Sequence, residues 1–210
     1  MGGEAMNPLL IRRRGMMQAQ GGLPYDAEIA YLESTYGQYI ELPIYGQKGL
    51  NYEVRVDFPT GTGHSNYPVV LGAQTSDTSR RYTLMISITS NKAYFNLNNV
   101  EKYFAITAAT HIYKFENQKV YIDGTLKWTF SASDFVTPFP IILFNFSDNG
   151  VVNINRSVRT RLYYCRFYGT ANLDLIPVRV GTTGYMYDRV SGQLFGNSGT
   201  GDFILGPDVQ

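Results

Sequence analysis

The sequence predicts an all-β protein, in which either two antiparallel sheets pack face to face or one sheet closes into a barrel. Three observations support this fold class. Apolar and polar side chains alternate in about twelve short runs, turn signals such as Asn117-Gln118 and Asp123-Gly124 separate neighbouring runs, and no helical period extends beyond a turn or two. The chain has 210 residues, which suits a single domain of this class.

Five strand-like runs come before residue 100. The alternation is clearest where apolar residues at even positions oppose Glu53, Arg55 and Asp57, the pattern of a half-buried strand. The five runs cover residues 39–44, 51–58, 68–74, 81–88 and 92–98.

A tight meander of three antiparallel strands is predicted over residues 111–130. The turn at Asp123 carries the Asp-Gly pair that tolerates positive φ in a two-residue hairpin. In the third strand, Leu126, Trp128 and Phe130 share one parity, which predicts one buried face. On this interpretation Trp128 anchors the core.

After the meander, residues 140–146 form a nearly continuous apolar run that suits a strand covered on both faces, and residues 160–169 form another strand. Residues 181–209 are punctuated by glycine, which predicts successive tight turns rather than another long sheet. Asp188 belongs to this segment, where hydrogen bonds between its side chain and the local backbone are a sufficient role.

The N-terminal residues 1–24 show no sustained period and are predicted to form an extended arm outside the domain of residues 25–210. One interpretation is a disordered tail. The other is a segment that becomes ordered against a partner, because a solvated tail has no need of apolar side chains. The residues that would dock are Leu9, Leu10, Ile11, Arg12, Arg13 and Arg14.

Composition excludes several classes of protein. The net charge of +1 provides no general field for nucleic acid or an anionic membrane. No apolar run reaches the ~20 residues of a membrane span, and no export signal is recognisable. The single cysteine, Cys165, excludes an internal disulfide framework and is predicted to be a buried apolar residue.

Three segments resemble the concanavalin A-like, laminin-G-like domains common in gut Bacteroidetes and their phages. They are the opening AEIAYLESTYGQYIELPI at 27–44, the YIDG hairpin at 121–124 and the closing segment at 175–207. The resemblance covers residues 27–209. It implies a two-sheet antiparallel jelly-roll sandwich, which would follow the N-terminal extended arm, and in which the concave face and the connecting loops are where relatives hold sugars or partners.

Catalysis is not predicted. Glycosidases of this fold need carboxylates on both sides of the scissile bond, and the nearest pair, Glu53 and Asp57, has Arg55 between its members. These charges indicate a solvated outer face with charge pairing. Neither His64 nor His111 has the spacing of a triad or a zinc site, and His111 is predicted to have a structural role at the start of a strand.

A sugar site would need a flat aromatic ring and planar polar groups, which connecting loops supply most readily. No cofactor is predicted. Calcium would suit the carboxylate and carbonyl oxygens near Asp148 and Asn149, although no calcium-loop motif is present. The candidate ligand-binding residues are His64, Asn66, Tyr67, Asp77, Arg80 and Arg81.

The resemblance and the arm together support two functional interpretations. The first is a non-catalytic structural protein of a phage virion, of head or tail decoration or fibre type, made in the bacterial cytoplasm and displaying a lectin-like sandwich for host-surface glycan. Its arm would bind other virion proteins, and its tyrosine-rich surface would suit contacts between copies of the chain. The alternative is a free-standing carbohydrate-binding or adhesion module at the bacterial cell surface.

Overall fold

The computed structural model describes residues 22–58, 69–87, 89–152 and 159–209. Within these ranges the chain folds into strands joined by turns, and no helix has the length and apolarity that a membrane span requires. The strands are β1 (Ala27–Glu28), β2 (Leu32–Glu33), β3 (Ile40–Gln47), β4 (Leu50–Asp57), β5 (Val69–Gln74), β6 (Arg81–Ser87), β7 (Lys92–Leu97), β8 (Val100–Ala105), β9 (His111–Glu116), β10 (Lys119–Ile122), β11 (Thr125–Thr129), β12 (Val136–Leu143), β13 (Ser147–Asp148), β14 (Val151–Val152), β15 (Arg161–Gly169), β16 (Leu173–Val180), β17 (Thr183–Asp188), β18 (Leu194–Phe195) and β19 (Ile204–Leu205).

The strands form two sheets. The larger sheet runs β11-β10-β9-β4-β15-β16-β17-β18, with β1 beside β16 and with β2 between β15 and β19. The smaller sheet runs β3-β12-β5-β6-β7-β8, and β13 and β14 extend it beside β5. Every pairing is antiparallel except that of β13 with β5. The two sheets remain separate and pack against each other, so the predicted all-β, two-sheet sandwich is confirmed and the barrel is excluded.

Aromatic side chains from both sheets meet in the core. The ring of Tyr82, on the smaller sheet, stands edge-on to the rings of Tyr52 and Phe115 on the larger sheet, with centroids 5.8 Å apart in both pairs. The hydroxyl of Tyr82 donates a hydrogen bond to the Leu50 carbonyl oxygen at 2.7 Å. Cys165 is fully buried in the same core, as predicted, and burial raises the pKa of its thiol.

Among the strands longer than two residues, three were not predicted. The prediction missed β8, an edge strand whose residues alternate between partly buried and exposed. It also missed β16, because Pro177 in the interior of that strand interrupts the strand pattern in the sequence. The closing segment does contain tight turns. It also supplies β17, a strand that the prediction of tight turns left out, which pairs with β16 along six residues and extends the larger sheet.

The predicted meander is present, and both of its turns adopt the expected left-handed conformation. Asn117 and Gln118 have φ values of 49° and 62°, and Asp123 has 50°. The turn at Asp123 is closed by side-chain bonds, because its carboxylate accepts hydrogen bonds from the Ile112 backbone nitrogen at 2.9 Å and from His111 Nδ1 at 2.6 Å. The structural role predicted for His111 is confirmed.

The prediction that Trp128 anchors the core is wrong. Trp128 lies opposite Val120, whereas Leu126 lies opposite Tyr121, so the register shifts between these pairs and β11 contains a bulge. The bulge places Trp128 and Leu126 on opposite faces despite their shared parity. Because β11 is an edge strand, Trp128 remains 42% exposed, with the Lys102 ammonium 4.5 Å from its ring centroid.

Asp188 ends β17 and is fully buried. Its carboxylate accepts hydrogen bonds from the backbone nitrogens of Asp174 at 2.8 Å, Val190 at 3.1 Å and Ser191 at 3.0 Å. Burial by itself would raise the pKa of this carboxyl group, but the hydrogen bonds outweigh that effect and lower the pKa. The role predicted for Asp188, a turn stabilised by backbone hydrogen bonds, is confirmed.

Candidate functional site

A groove crosses the outer face of the smaller sheet. Tyr82 and Leu84 of β6 point into the core, so their neighbours Arg81, Thr83 and Met85 lie on the opposite, outer face. Strand pairing brings residues of β5, β7 and β8 beside them. The groove has a volume of about 270 Å³ and is lined by Gln74, Thr78, Arg81, Met85, Tyr94, Glu101 and Phe146.

Arg81 is the central polar residue of the groove, and its guanidinium group is incompletely paired. The side chain is 15% exposed, Nη1 lies 3.5 Å from Glu101 Oε2, and Nη2 lies 3.5 Å from the Asn99 carbonyl oxygen. Charge-assisted hydrogen bonds are usually about 2.7–2.9 Å long. The buried Nε atom has no hydrogen-bond partner in the described part of the chain. Burial lowers the pKa of Arg81, and the nearby Glu101 only partly offsets this effect.

The lining of the groove combines the aromatic rings of Tyr94 and Phe146 with the amide of Gln74 and the hydroxyl of Thr78. Tyr94 and Phe146 are both buried, and the Tyr94 ring lies 5.4 Å from the ring of Tyr103. On the same outer face but outside the lining of the groove, Asn96 donates its amide to Thr83 Oγ1 at 2.9 Å, and its buried Oδ1 atom has no partner among the described residues. The groove therefore offers planar polar groups above apolar surface, which is the usual composition of a small-ligand site.

A second, wider cavity opens at the end of the sandwich, between the β3–β4 turn, the β9–β10 turn and the chain segment that leads into β12. We call it the end cavity; its volume is about 680 Å³. It is lined by Gln47, Lys48, Gly49, Asn51, Asn117, Gln118, Asp134, Phe135 and Val136.

Two side-chain amides of the end cavity, those of Asn51 and Gln118, also connect the chain segments that line it. Asn51 Oδ1 accepts a hydrogen bond from the Asn117 backbone nitrogen at 2.8 Å, and Gln118 Oε1 accepts one from the Ala132 backbone nitrogen at 2.9 Å. These bonds use only the side-chain oxygens of Asn51 and Gln118. The side-chain nitrogens of both residues can therefore donate hydrogen bonds to a ligand. Across the cavity, Lys48 Nζ pairs with Asp134 Oδ1 at 3.1 Å, so the charges of the lining cancel.

Of the predicted ligand-binding residues that the structure describes, Asp77, Arg80 and Arg81, only Arg81 lines the groove. Asp77 instead stabilises the β5–β6 turn, where hydrogen bonds from Thr75 Oγ1 at 2.6 Å and from Ser79 lower the pKa of its carboxyl group to about 2. Arg80 is exposed beside this turn and does not line the groove. The predicted residues outside the described ranges are His64, Asn66, Tyr67, Leu9, Leu10, Ile11, Arg12, Arg13 and Arg14.

Sequence reasoning missed most of the groove and the whole of the end cavity. One signal was available: Thr83 and Asn96 are polar residues within otherwise apolar runs, and their parity places them opposite the core. That pattern marks a polar outer face. It does not identify which residues meet there, because Glu101 reaches Arg81 only through the pairing of three different strands.

The carboxylates considered for catalysis lie on the other sheet and are held by partners. Glu53 accepts a hydrogen bond from the Tyr164 hydroxyl at 2.9 Å and lies 3.4 Å from Arg166 Nη1. Asp57 lies 3.8 Å from Arg161 Nη1. The predicted charge pairing on this outer face is therefore confirmed.

No metal cluster is visible in the described ranges, which contain no group of three or more His, Cys, Asp or Glu residues placed to hold an ion. Near the suggested calcium position, Asp148 accepts a hydrogen bond from Gln74 Nε2 at 3.1 Å. Asn149 occupies the β13–β14 turn with φ of 53°. The suggestion of calcium stays a prediction.

Comparison with solved structures finds similarity to the mouse laminin α1 chain, domains LG4-5. The TM-score is 0.48 and the sequence identity is 9%, and the alignment covers 90% of this chain and 51% of the laminin fragment. The chain thus spans about half the length of that fragment. No family model matches the sequence, and no curated protein matches it. The protein is an all-β, two-sheet antiparallel sandwich with laminin G domains among its structural neighbours.

Proposed function

We propose that this protein is a non-catalytic glycan-binding module and that the groove around Arg81 is its sugar site. The observation that carries the proposal is the pair of Arg81 and Glu101, 3.5 Å apart beside the Tyr94 ring. A sugar hydroxyl both donates and accepts hydrogen bonds. Two neighbouring hydroxyls can therefore bridge a guanidinium donor and a carboxylate acceptor that bind each other only loosely.

The charge and size of the groove favour a neutral sugar. The lining contributes one cation, Arg81, and one anion, Glu101, so it offers no net attraction for an acidic or basic ligand. Its volume of about 270 Å³ is near the lower end of ligand pockets, which start at about 300 Å³. A single ring suits this space better than a branched glycan.

The arrangement of carboxylates supports binding without hydrolysis. Glycosidases use two carboxyl groups roughly 5–9.5 Å apart on either side of the scissile bond. Among the described residues that line the groove, Glu101 is the one carboxylate, and Arg81 lies beside it. A bound sugar would meet this one acid, and the described residues of the lining include no second carboxylate to act as nucleophile or base.

The groove can be tested by comparing Arg81→Ala with Arg80→Ala on a glycan array and by calorimetry. We expect Arg81→Ala to weaken binding of the selected glycan by about tenfold to a hundredfold, since hydrogen bonds to charged groups contribute about 1.5–3 kcal/mol. Arg80 is the matched control because its exposed side chain does not line the groove. Equal losses in both variants would contradict the site, and hydrolysis of any glycan by the wild-type protein would contradict a purely binding role.

A virion role is the second candidate function, and the composition of the arm favours it. The arm would dock the sandwich onto other virion proteins through the apolar residues Leu9 to Ile11 and the basic residues Arg12 to Arg14. Copies of the chain would also contact one another in the assembly. The module would then display its groove towards host-surface glycan. In the alternative, the same module acts at a bacterial cell surface. Neither version involves nucleic acid or a membrane as partner, in keeping with the net charge of +1.

Deleting residues 1–24 tests the arm. We expect the shortened chain to fold, because the cut spares Tyr25, whose ring packs 4.9 Å from that of Tyr187, and leaves β1 intact from Ala27. Assembly into larger particles should be lost, as measured by light scattering of the full-length and shortened proteins. An unfolded product would show that the arm belongs to the core.

A further inference from the structure

We infer that the groove and the end cavity form one binding surface and that its ligand is an internal stretch of a neutral oligosaccharide chain. This inference rests on the proposed glycan-binding function and extends it from a single sugar to a chain. A terminal sugar would need only the groove, whereas the end cavity adds a second set of neutral polar contacts beside it.

The turn between β7 and β8 connects the two cavities. On one side, the Asn99 carbonyl oxygen accepts a hydrogen bond from Arg81 Nη2, in the groove, at 3.5 Å. On the other side, Asn98 Nδ2 donates to Ser133 Oγ at 3.1 Å. Ser133 directly precedes Asp134, which lines the end cavity. One two-residue turn therefore separates a residue that lines the groove from the chain segment that lines the end cavity.

The chemistry of the end cavity matches that of the groove. Each contains one cation and one anion that pair with each other, Arg81 with Glu101 and Lys48 with Asp134, so neither selects for a charged ligand. Side-chain amides supply the remaining polar groups in the end cavity, and an amide presents donors and an acceptor in one plane. Neutral hydroxyls are the groups that both linings can satisfy.

The size of the end cavity indicates more than one additional sugar ring. Its volume of about 680 Å³ is more than twice the 270 Å³ of the groove. Phe135 and Val136 supply apolar surface, and Val136 is exposed. A chain that enters from the groove would thus find apolar contact for ring faces and amides for hydroxyls.

Asn117→Gly is the sharpest variant for testing the end cavity. The Asn117 side-chain amide makes no hydrogen bond within the described ranges, and its backbone has φ of 49°, a conformation that glycine adopts without strain. The change therefore removes one ligand-facing amide and keeps the turn. Lys119→Ala is the matched control, because Lys119 is exposed two residues away and does not line the cavity.

The measurement is calorimetry of the full-length protein with malto-, cello-, laminari-, xylo- and manno-oligosaccharides, each from disaccharide to hexasaccharide. We expect affinity to rise with chain length in at least one series. Asn117→Gly should weaken hexasaccharide binding by about tenfold, the effect of one lost hydrogen bond of about 1.4 kcal/mol, and should leave disaccharide binding unchanged. Arg81→Ala should weaken binding at every length, and Lys119→Ala at none.

The outcomes separate this inference from the proposed function. If the hexasaccharide binds no more tightly than the disaccharide, or if Asn117→Gly matches the wild type at every length, the extended surface is wrong. In that case a loss on Arg81→Ala still supports a sugar site in the groove. If none of these series binds, the inference is overturned, and an array that also shows no glycan binding overturns the proposed function with it.

Discussion

Replacing Tyr82 by alanine should lower the free energy of unfolding by about 3–5 kcal/mol, the usual cost of removing a large buried aromatic side chain. Tyr82 is 1% exposed. Its ring stands edge-on to Tyr52 and Phe115 of the opposite sheet, so the truncation would leave a cavity between the sheets. Urea denaturation followed by circular dichroism measures the change.

Tyr82→Phe separates packing from hydrogen bonding at the same position. This variant keeps the ring and removes only the hydroxyl that donates to the Leu50 carbonyl oxygen, so its cost should be about 1–2 kcal/mol. If phenylalanine and alanine destabilise the protein equally, the hydrogen bond and not the ring packing dominates at this position.

The second large effect is expected at Glu33, whose side chain is 1% exposed. Its carboxylate pairs with Arg159 Nε and, at 2.6 Å, with Arg161 Nε. Removing one partner of a buried ion pair usually costs about 3–5 kcal/mol because the remaining charge is left unpaired. Both arginines are partly exposed, so water can replace part of the lost interaction, and we expect Glu33→Ala to cost about 3 kcal/mol.

Glu53→Ala is the matched control for this prediction. Glu53 also pairs with an arginine, at 3.4 Å, but both side chains reach solvent, and such exposed pairs contribute about 0–1 kcal/mol. Denaturation at low and high salt should show a salt-dependent loss for Glu53→Ala and a nearly constant one for Glu33→Ala. Similar losses for the two variants would show that Glu33 behaves as a surface charge.

The local features of the fold could be predicted from the sequence. The alternation in residues 51–58 corresponds to β4, and both turns of the meander adopt the left-handed conformation, which Asn117 and Asp123 tolerate well. The role of Asp188 was also predictable, because an aspartate that bonds to its neighbouring backbone needs only nearby residues. Each of these features depends on interactions among residues close together in the chain.

Trp128 shows where local reasoning fails. Its parity with Phe130 and Leu126 predicts one shared face, yet the bulge in β11 moves Leu126 to the other face. A bulge is fixed by the pairing of a strand with its neighbour and leaves no clear periodic signal in the strand itself. The exposure of Trp128 follows instead from the position of β11 at the edge of its sheet, which depends on the order of all the strands.

The sequence by itself therefore determined the all-β class, most of the strands and the turns that join the meander, because alternation and turn chemistry act over a few residues. Only the tertiary structure decided that Arg81 lies beside Glu101 and that Asn117 and Asp134 line the same end cavity. The physical reason is that strand order and register arise from contacts between residues distant in the chain, and these contacts decide which polar side chains share a surface.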